Sequence, residues 1–352
     1  MHRALMFIVC IAITDPVSNA AEPASQTGRP QQSATKLPRI RDPRLVPLPD
    51  VAPAPADNPT TPEKAALGKQ LFFDPRLSGN NTMSCASCHK PDRWFADGVE
   101  WNKGETGITL VRNTQSCLNT GFYSSLFWDG RAARLEDQAL GPIESEIEMN
   151  QSLDQLEEEL RRIPGYVRQF QSVFGAEPNR RDIAKALAAY QRTLITGPSP
   201  YDRYLRGDDD ALSENAKRGL ALFVGEAKCI QCHNGPNLSD GKYYRTGVSE
   251  VDEGRFKLTG KSDDRFRFRT PSLRNVAETG PYMHHGFFVS LDVVLAFYYN
   301  SGAATTSYNL PLDAPDLSAR PISDVKYLAA FLESLTGTPP DFTPPELPPS
   351  AP

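Results

Sequence analysis

Two copies of the pattern Cys-x-x-Cys-His constrain this sequence more than any other feature. The first copy occupies residues 85–89 and the second occupies residues 229–233. Two thiols three positions apart can each add to a vinyl group of a haem, and the following histidine can ligate the iron. A single copy could be half of a zinc site or a chance occurrence. Two copies predict two covalently bound c-type haems, held by Cys85, Cys88, His89, Cys229, Cys232 and His233.

Residues 1–20 have the organisation of a cleaved export signal. A short basic start precedes an apolar run over residues 4–13 and the small residues Ser18-Asn19-Ala20. This run is too short to cross a bilayer, and no later stretch is long enough to do so. We therefore expect cleavage near Ala20, no membrane span and a periplasmic location, where c-type haem is attached. The net charge of −5 gives no reason to expect nucleic acid as a partner.

The patterns along the chain predict a mainly α fold with two cytochrome c-like haem domains, long loops and little strand. Residues 21–60 are rich in Pro, Ala, Gln and Asp, which is typical of a linker or a peripheral strap. The Gly-Pro-Ser-Pro run at 197–200 separates an N-terminal haem domain at 61–197 from a C-terminal haem domain at 198–338. The proline-rich residues 339–352 are expected to be disordered.

Apolar residues at helical spacing predict the helices. Thr61 is expected to cap a helix that starts at Pro62 and ends before Pro75, with Gly68 as a slight argument against it. Similar spacing predicts helices over 151–163, 181–195, 213–223, 290–298 and 323–335. Ser213 and Ser290 are expected to cap the third and fourth of these helices. The basic, aromatic run at 265–269 is interpreted as an edge strand or a solvated loop, and less favourably as a docking patch.

The sequence contains few residues that could serve as axial iron ligands. Of the five histidines, His2 leaves with the signal and two are proximal ligands, so that only His284 and His285 remain. Both lie far along the chain from the first motif, and the methionines that remain are Met83, Met149 and Met283.

The first haem is therefore expected to keep one open face. An open ferric haem can bind peroxide, and breaking the O–O bond then needs a general acid–base within hydrogen-bond reach. Glu148 and Gln138 are candidates for that role. Cys117 remains as the one cysteine of the mature chain outside the motifs, so no disulfide is expected.

Two further segments resemble the bacterial diheme cytochrome c peroxidases and MauG-like enzymes. The first is FWDGRAA at 127–133, which continues through EDQALGP at 136–142 to Glu148 and Met149. The second is TPSLRN at 270–275, followed by GPYMH at 280–284. With both haem motifs in register, the resemblance covers roughly residues 61–338.

The resemblance implies roles for individual residues. In that family the first haem is the peroxidatic site, where the residue matching Glu148 acts as acid–base and the residue matching Gln138 lines the pocket. The residue matching Trp128 lies between the haems and couples them electronically. His284 is similar to a residue near the second haem that contacts a propionate or lines the pocket.

A Ca²⁺ ion between the haems is also implied by the resemblance. Its ligands would be the side chain of Asn113 and the backbone carbonyl oxygens of Thr279 and Pro281. Oxygen ligands suit Ca²⁺.

Two departures from the conventional peroxidases favour the MauG-like branch. The loop after the first motif contains no distal histidine, and Glu105 stands at that position. Tyr298 stands where conventional members place an axial methionine on the second iron, while the neighbouring Tyr299 points about 100° away on a helix. A thioether favours ferrous iron, whereas a phenolate favours ferric and higher states. The second haem would then store an oxidising equivalent.

The leading hypothesis is a periplasmic MauG-like peroxidase that reacts with H₂O₂ at an open first haem and stores oxidising equivalents over both haems. It would then oxidise an external donor, such as a residue of a partner protein, over a long distance. The first alternative is a conventional peroxidase supplied with electrons by a small cytochrome c or a cupredoxin. The second is a non-catalytic diheme electron-transfer cytochrome. The resemblance to family peroxidases also implies a homodimer as a candidate assembly.

Overall fold

The structure is a computed structural model, and it describes residues 37–300, 307, 311–314, 317 and 321–350. The chain divides into residues 1–36 and residues 37–352, and only the second unit is described. The expected signal peptide and the first part of the expected strap lie outside the described residues.

Helices and irregular loops make up most of the described residues. The helices are α1 Pro62–Phe73, α2 Cys85–Cys88, α3 Leu135–Glu144, α4 Leu153–Arg161, α5 Pro164–Phe174, α6 Arg180–Thr193, α7 Pro200–Arg206, α8 Glu214–Val224, α9 Phe256–Thr259, α10 Leu291–Asn300 and α11 Val325–Glu333. Two short strands, β1 Tyr243–Tyr244 and β2 Phe268–Arg269, pair in antiparallel fashion. The predicted mainly α class is confirmed. None of the helices in the described ranges is both long and apolar enough to cross a membrane.

Side-chain caps start α1 and α8 where the sequence indicated. Thr61 accepts a hydrogen bond from the backbone of Lys64 at the start of α1, and Ser213 accepts one from Ala216 at the start of α8. The last predicted helix differs slightly, because residues 322–324 form a 3₁₀ turn before α11 begins.

Five helices escaped the sequence analysis, and two of them, α2 and α9, are only four residues long. α5 and α7 each begin at a proline, which stands at the first helical position and starts the helix. The run at 197–200 that was interpreted as a boundary therefore contains the Ser199 cap of α7. α3 contains Pro142 near its end, and Pro is the least favourable residue in a helix interior.

Each haem motif is preceded by a helix that packs unusually closely on a later helix. In α1, a Cβ atom on Gly68 would lie 1.9 Å from the carbonyl oxygen of Ala186 in α6. In α8, a Cβ atom on Gly219 would lie 1.9 Å from the carbonyl oxygen of Tyr327 in α11. Only glycine permits such an approach of two backbones. Gly68 is thus part of the packing and not a sign against the helix.

Buried apolar residues form two large clusters. The first cluster draws on residues 67–194, and the second draws on Leu45 and residues 201–335. Both lie within the compact unit 37–352, so the division into two haem domains remains a proposal.

The segments on either side of this helical unit are held to it. In the described part of the strap, Leu45 and Leu48 are buried, and the backbone N–H of Leu48 donates to Asp202 at 2.8 Å. Residues 339–350 contain no helix or strand, but Arg76 donates to the carbonyl oxygen of Pro348 at 3.0 Å. Such a contact forms readily because extended proline-rich chain leaves carbonyl oxygens free to accept hydrogen bonds. The expected disorder of residues 339–352 stays a prediction.

The run at 265–269 ends in strand β2, which agrees with its interpretation as an edge strand. Arg269 is only 2% exposed, and its guanidinium lies 3.7 Å from the centre of the Tyr123 ring. It also donates to the carbonyl oxygen of Phe127 at 3.2 Å. The run is therefore partly built into the interior.

Candidate active site

The first motif forms the short helix α2, and His89 follows directly. Nδ1 of His89 lies 3.2 Å from the carbonyl oxygen of Phe95, which orients the ring and leaves Nε2 for a metal. Burial lowers the pKa of His89, so the imidazole is neutral, as a metal ligand must be.

The second motif repeats this arrangement. Residues 229–231 form a 3₁₀ turn, and Nδ1 of His233 lies 3.1 Å from the carbonyl oxygen of Leu238. Burial also lowers the pKa of His233. Both motifs therefore present one oriented, neutral imidazole.

Each motif lines its own cavity. The first cavity has a volume of about 190 Å³, and the second has a volume of about 240 Å³. The five described cysteines carry free thiols, and burial raises the pKa of Cys85 and of Cys229 to about 12. A cavity with two neutral thiols and an oriented imidazole fits a covalently attached haem.

Polar side chains far apart in sequence meet in the first cavity. Gln138 from α3 and Glu148 from the following loop line it together with His89. Met83 and Met149 also line it. Among the described residues that line this cavity, His89 carries the only imidazole.

Glu105 does not replace the missing distal histidine in this structure. Its carboxylate accepts hydrogen bonds from the backbone of Asn80 and from the Asn150 side chain, and Glu105 is not among the lining residues. Gly104 does line the cavity, and a Cβ atom there would lie 1.9 Å from the carbonyl oxygen of Ile147. The loop therefore lies directly against the backbone that carries Glu148.

Tyr298 of α10 lines the second cavity together with His233, Met283 and His284. The neighbouring Tyr299 lines a separate small cavity. Burial raises the pKa of Tyr298, so its phenolate requires a positive charge at the oxygen, which ferric iron would supply.

His284 is buried between aromatic neighbours at the second cavity. Its ring stacks on Phe268 with 3.7 Å between the ring centres. Burial lowers the pKa of His284 to about 3. Its Nε2 atom finds no hydrogen-bond partner among the described residues, which fits a polar group of a bound cofactor in that place.

Trp128 is common to the two cavities. Its Nε1 donates to the carbonyl oxygen of Asn113 at 2.9 Å. The residues that line both cavities are Asn113, Thr114, Gln115, Ser116, Tyr123, Trp128 and Arg269. Trp128 therefore has the location that an electronic link between two haems requires.

The three expected Ca²⁺ ligands, Asn113, Thr279 and Pro281, all line the second cavity. The amide nitrogen of Asn113 donates to the carbonyl oxygen of Val99 at 3.0 Å, which holds the side chain in place. The described part of the chain contains no cluster of three or more His, Cys, Asp or Glu side chains suited to a metal. A cation here would therefore depend on amide and carbonyl oxygens, which suit Ca²⁺.

Sequence reasoning missed Arg112, which also lines the first cavity. Its guanidinium lies 2.6 Å from a carboxylate oxygen of Asp129 and 2.6 Å from one of Asp252. Burial opposes the charge of Arg112, but these two carboxylates raise its pKa above the ordinary value. The position of Arg112 beside Asn113 was the only available signal.

Comparison with known proteins agrees with this geometry. A family model described as di-haem cytochrome c peroxidase matches residues 62–210. The chain is 42% identical over 329 residues to cytochrome-c peroxidase IdrP1 of Pseudomonas sp., with 84% of this chain and 86% of that protein covered. It is 40% identical over 336 residues to the methylamine utilization protein MauG of Methylorubrum extorquens, with 94% and 92% covered.

A solved structure has the same fold. A MauG-like protein associated with microbial copper homeostasis superposes with a TM-score of 0.74 at 31% identity, covering 84% of this chain and 95% of that chain. The predicted resemblance is confirmed. The chain therefore belongs to the di-haem cytochrome c peroxidase and MauG family, and it is a peroxidase-type enzyme of two haems.

Proposed function

We propose that the protein is a periplasmic MauG-like peroxidase that reacts with H₂O₂ at an open first haem and oxidises an external donor over a long distance. The observation that carries this proposal is that Tyr298 and His233 line the same second cavity. The first cavity supports it further, since its described lining contains no imidazole besides His89.

When bound, each haem supplies the redox chemistry by which peroxide is reduced and oxidising equivalents are stored. Two cysteines and one histidine of each motif would hold the haem. Glu148 would serve as the general acid–base, taking a proton from one oxygen of the peroxide and returning it to the other. Gln138 orients the peroxide through its side-chain amide.

The second site differs from the first in its proposed second iron ligand, Tyr298, and in the oxidation state that this ligand stabilises. An anionic oxygen supplied by Tyr298 would favour oxidised states of a haem held at His233, whereas a methionine would favour the reduced state. Trp128 lines both cavities and provides the route for electrons between them. Ca²⁺ at Asn113, Thr279 and Pro281 would hold the same region in place.

Electron paramagnetic resonance of the as-isolated ferric protein tests this proposal. The expected result is one high-spin and one low-spin haem. Replacing Tyr298 by Phe should change the spin state or potential of the second haem only, while Tyr299→Phe, the neighbouring control, should leave both haems unchanged. Two low-spin haems, or a response of the first haem to Tyr298→Phe, would contradict the proposal.

The runner-up is a conventional peroxidase that takes electrons from a small cytochrome c or a cupredoxin. Similarity to a protein named cytochrome-c peroxidase favours it, and so does Met283, a thioether in the lining of the second cavity. Rapid steady-state turnover with a soluble electron carrier would select this alternative.

A further inference from the structure

An aromatic pair lies exposed at the surface near the second cavity. Trp101 is 46% exposed and Phe287 is 50% exposed. Their ring centres are 5.6 Å apart in an edge-to-face arrangement. By contrast, Trp94 packs against the first apolar cluster.

Aromatic rings continue inward from this pair without a break. Phe287 stacks on His285 with 4.0 Å between ring centres, and His285 lies 4.9 Å from His284. The ring of His284 lies 6.4 Å from Trp128. His285 and His284 are only 6% and 5% exposed, so the connection runs through the interior.

A branch of the same chain reaches the proposed axial ligand. The ring of His285 lies 5.9 Å from Phe288, and Phe288 lies 5.3 Å from Phe297. Phe297 in turn lies 5.2 Å from Tyr298. His285 thus stands where one route from the surface divides between the indole shared by both cavities and the second haem site.

We propose that Trp101 is the surface residue through which oxidising equivalents leave the protein, by way of Phe287, His285 and His284. The inference rests on the proposed function, because it requires peroxide to oxidise the haem sites. Each H₂O₂ takes up two electrons and two protons and yields two water molecules. Trp101 supplies one electron at a time and releases the proton of Nε1 to solvent. An external donor then returns an electron and a proton is taken up again.

The chemistry of the rings supports this assignment. Indole is the most easily oxidised side chain on the route, so Trp101 and Trp128 can each hold an electron vacancy briefly. Phenylalanine and neutral imidazole are harder to oxidise. Their closely packed rings form a protein medium through which electrons tunnel better than through water. His284 and His285 are both buried, so this part of the route is shielded from water.

Without an external donor, the electron vacancy should lead to an irreversible covalent modification of Trp101. Loss of two electrons and addition of water convert the indole to a hydroxylated indole, so that one H₂O₂ is consumed and one water is released overall. The test treats the holoprotein with stoichiometric H₂O₂, records the haem absorbance and quantifies hydroxylation of Trp101 and Trp94 by peptide mass spectrometry. Trp101 should be modified severalfold more than Trp94.

Variants of the intermediate ring separate this route from direct attack by peroxide in solution. Phe287→Leu should lower hydroxylation of Trp101 severalfold, whereas Phe287→Tyr, which keeps a ring, should retain it. Val289→Ala, a change at a neighbouring residue that is 78% exposed, should have no effect. Direct attack would modify Trp101 at least as much in Phe287→Leu, because that side chain shields it less.

The outcomes for the inference and for the proposed function are distinct. If the haem absorbance responds to peroxide but modification of Trp101 is independent of the ring at 287, the route is wrong and the proposed function stands. If the haem absorbance of the wild-type protein does not respond, both are wrong.

Discussion

Trp128 and Asn113 are joined by a hydrogen bond of 2.9 Å from the indole Nε1 to the backbone oxygen. The backbone N–H of Asn113 in turn donates to the carbonyl oxygen of His284 at 2.8 Å. The indole that lines both cavities is thus held by a proposed Ca²⁺ ligand, which itself contacts the second cavity.

Replacing Trp128 by Phe should separate the two haem sites electronically. The first site should still react with H₂O₂, because its lining otherwise remains, but the spectral change of the second site should be slowed or lost. Stopped-flow absorbance at both haems measures this, with Trp94→Phe as the control that should behave like the wild type. An unchanged rate at the second site would show that electrons bypass Trp128.

Replacing Glu148 by Gln should slow the reaction with peroxide by roughly 10²- to 10⁴-fold, because an amide cannot accept and return the proton. The ferric spectra should hardly change, since Glu148 is not a proposed iron ligand. Glu146→Gln is the matched control, because Glu146 is exposed and does not line the first cavity. Wild-type peroxide kinetics in Glu148→Gln would refute the acid–base role.

Asp202 and Arg274 form a buried ion pair 2.7 Å apart, with both side chains about 1% exposed. Replacing Asp202 by Asn should lower the free energy of unfolding by about 3–5 kcal/mol, because Arg274 keeps its buried charge without a partner. Asp208→Asn should have little effect, because its contact with Arg203 is 3.9 Å long and half exposed. Denaturant unfolding measures the difference.

The same pair predicts a pH dependence. Burial alone would raise the pKa of Asp202, but the charge of Arg274 and hydrogen bonds from Ser199 and Leu48 hold it below the ordinary value. A carboxyl with a lowered folded-state pKa stabilises fully above its unfolded pKa, and this stabilisation is lost as the pH falls through the folded value. The difference between wild type and Asp202→Asn should therefore shrink below about pH 4. A constant difference across that range would contradict the ion pair.

Replacing Gly68 by Ala should destabilise the protein by about 1–3 kcal/mol, because the added methyl group meets the backbone of Ala186. Gly219→Ala should do the same against Tyr327. Gly141→Ala in α3 is the matched control, since its nearest neighbour is a Phe127 ring atom at 3.3 Å that can shift slightly. Equal unfolding midpoints for all three variants would show that the helix contacts are looser than the structure indicates.

Local chemistry explains why several features could be predicted from the sequence. A haem motif is five adjacent residues, and a cap such as Thr61 or Ser213 acts on the backbone three residues away. The helical spacing that assigned Tyr298 to one face of α10 and Tyr299 to another is equally local. The two residues do line different cavities.

Features that depend on distant parts of the chain could not be predicted in this way. Glu105 was placed at a ligand position by counting, but the tertiary structure directs its carboxylate to Asn80 and Asn150. Likewise, Gly68 was an argument against the predicted helix α1, and only the tertiary structure showed that it allows close contact with Ala186 of α6.

The sequence by itself determined the family, the haem motifs and the identity of the side chains available to the two sites, because each depends on residue type and short spacing. Only the tertiary structure decided that Trp128 lines both cavities and that a line of rings connects it to Trp101. Such neighbours come from loops far apart in the chain, and their meeting depends on how the whole unit packs.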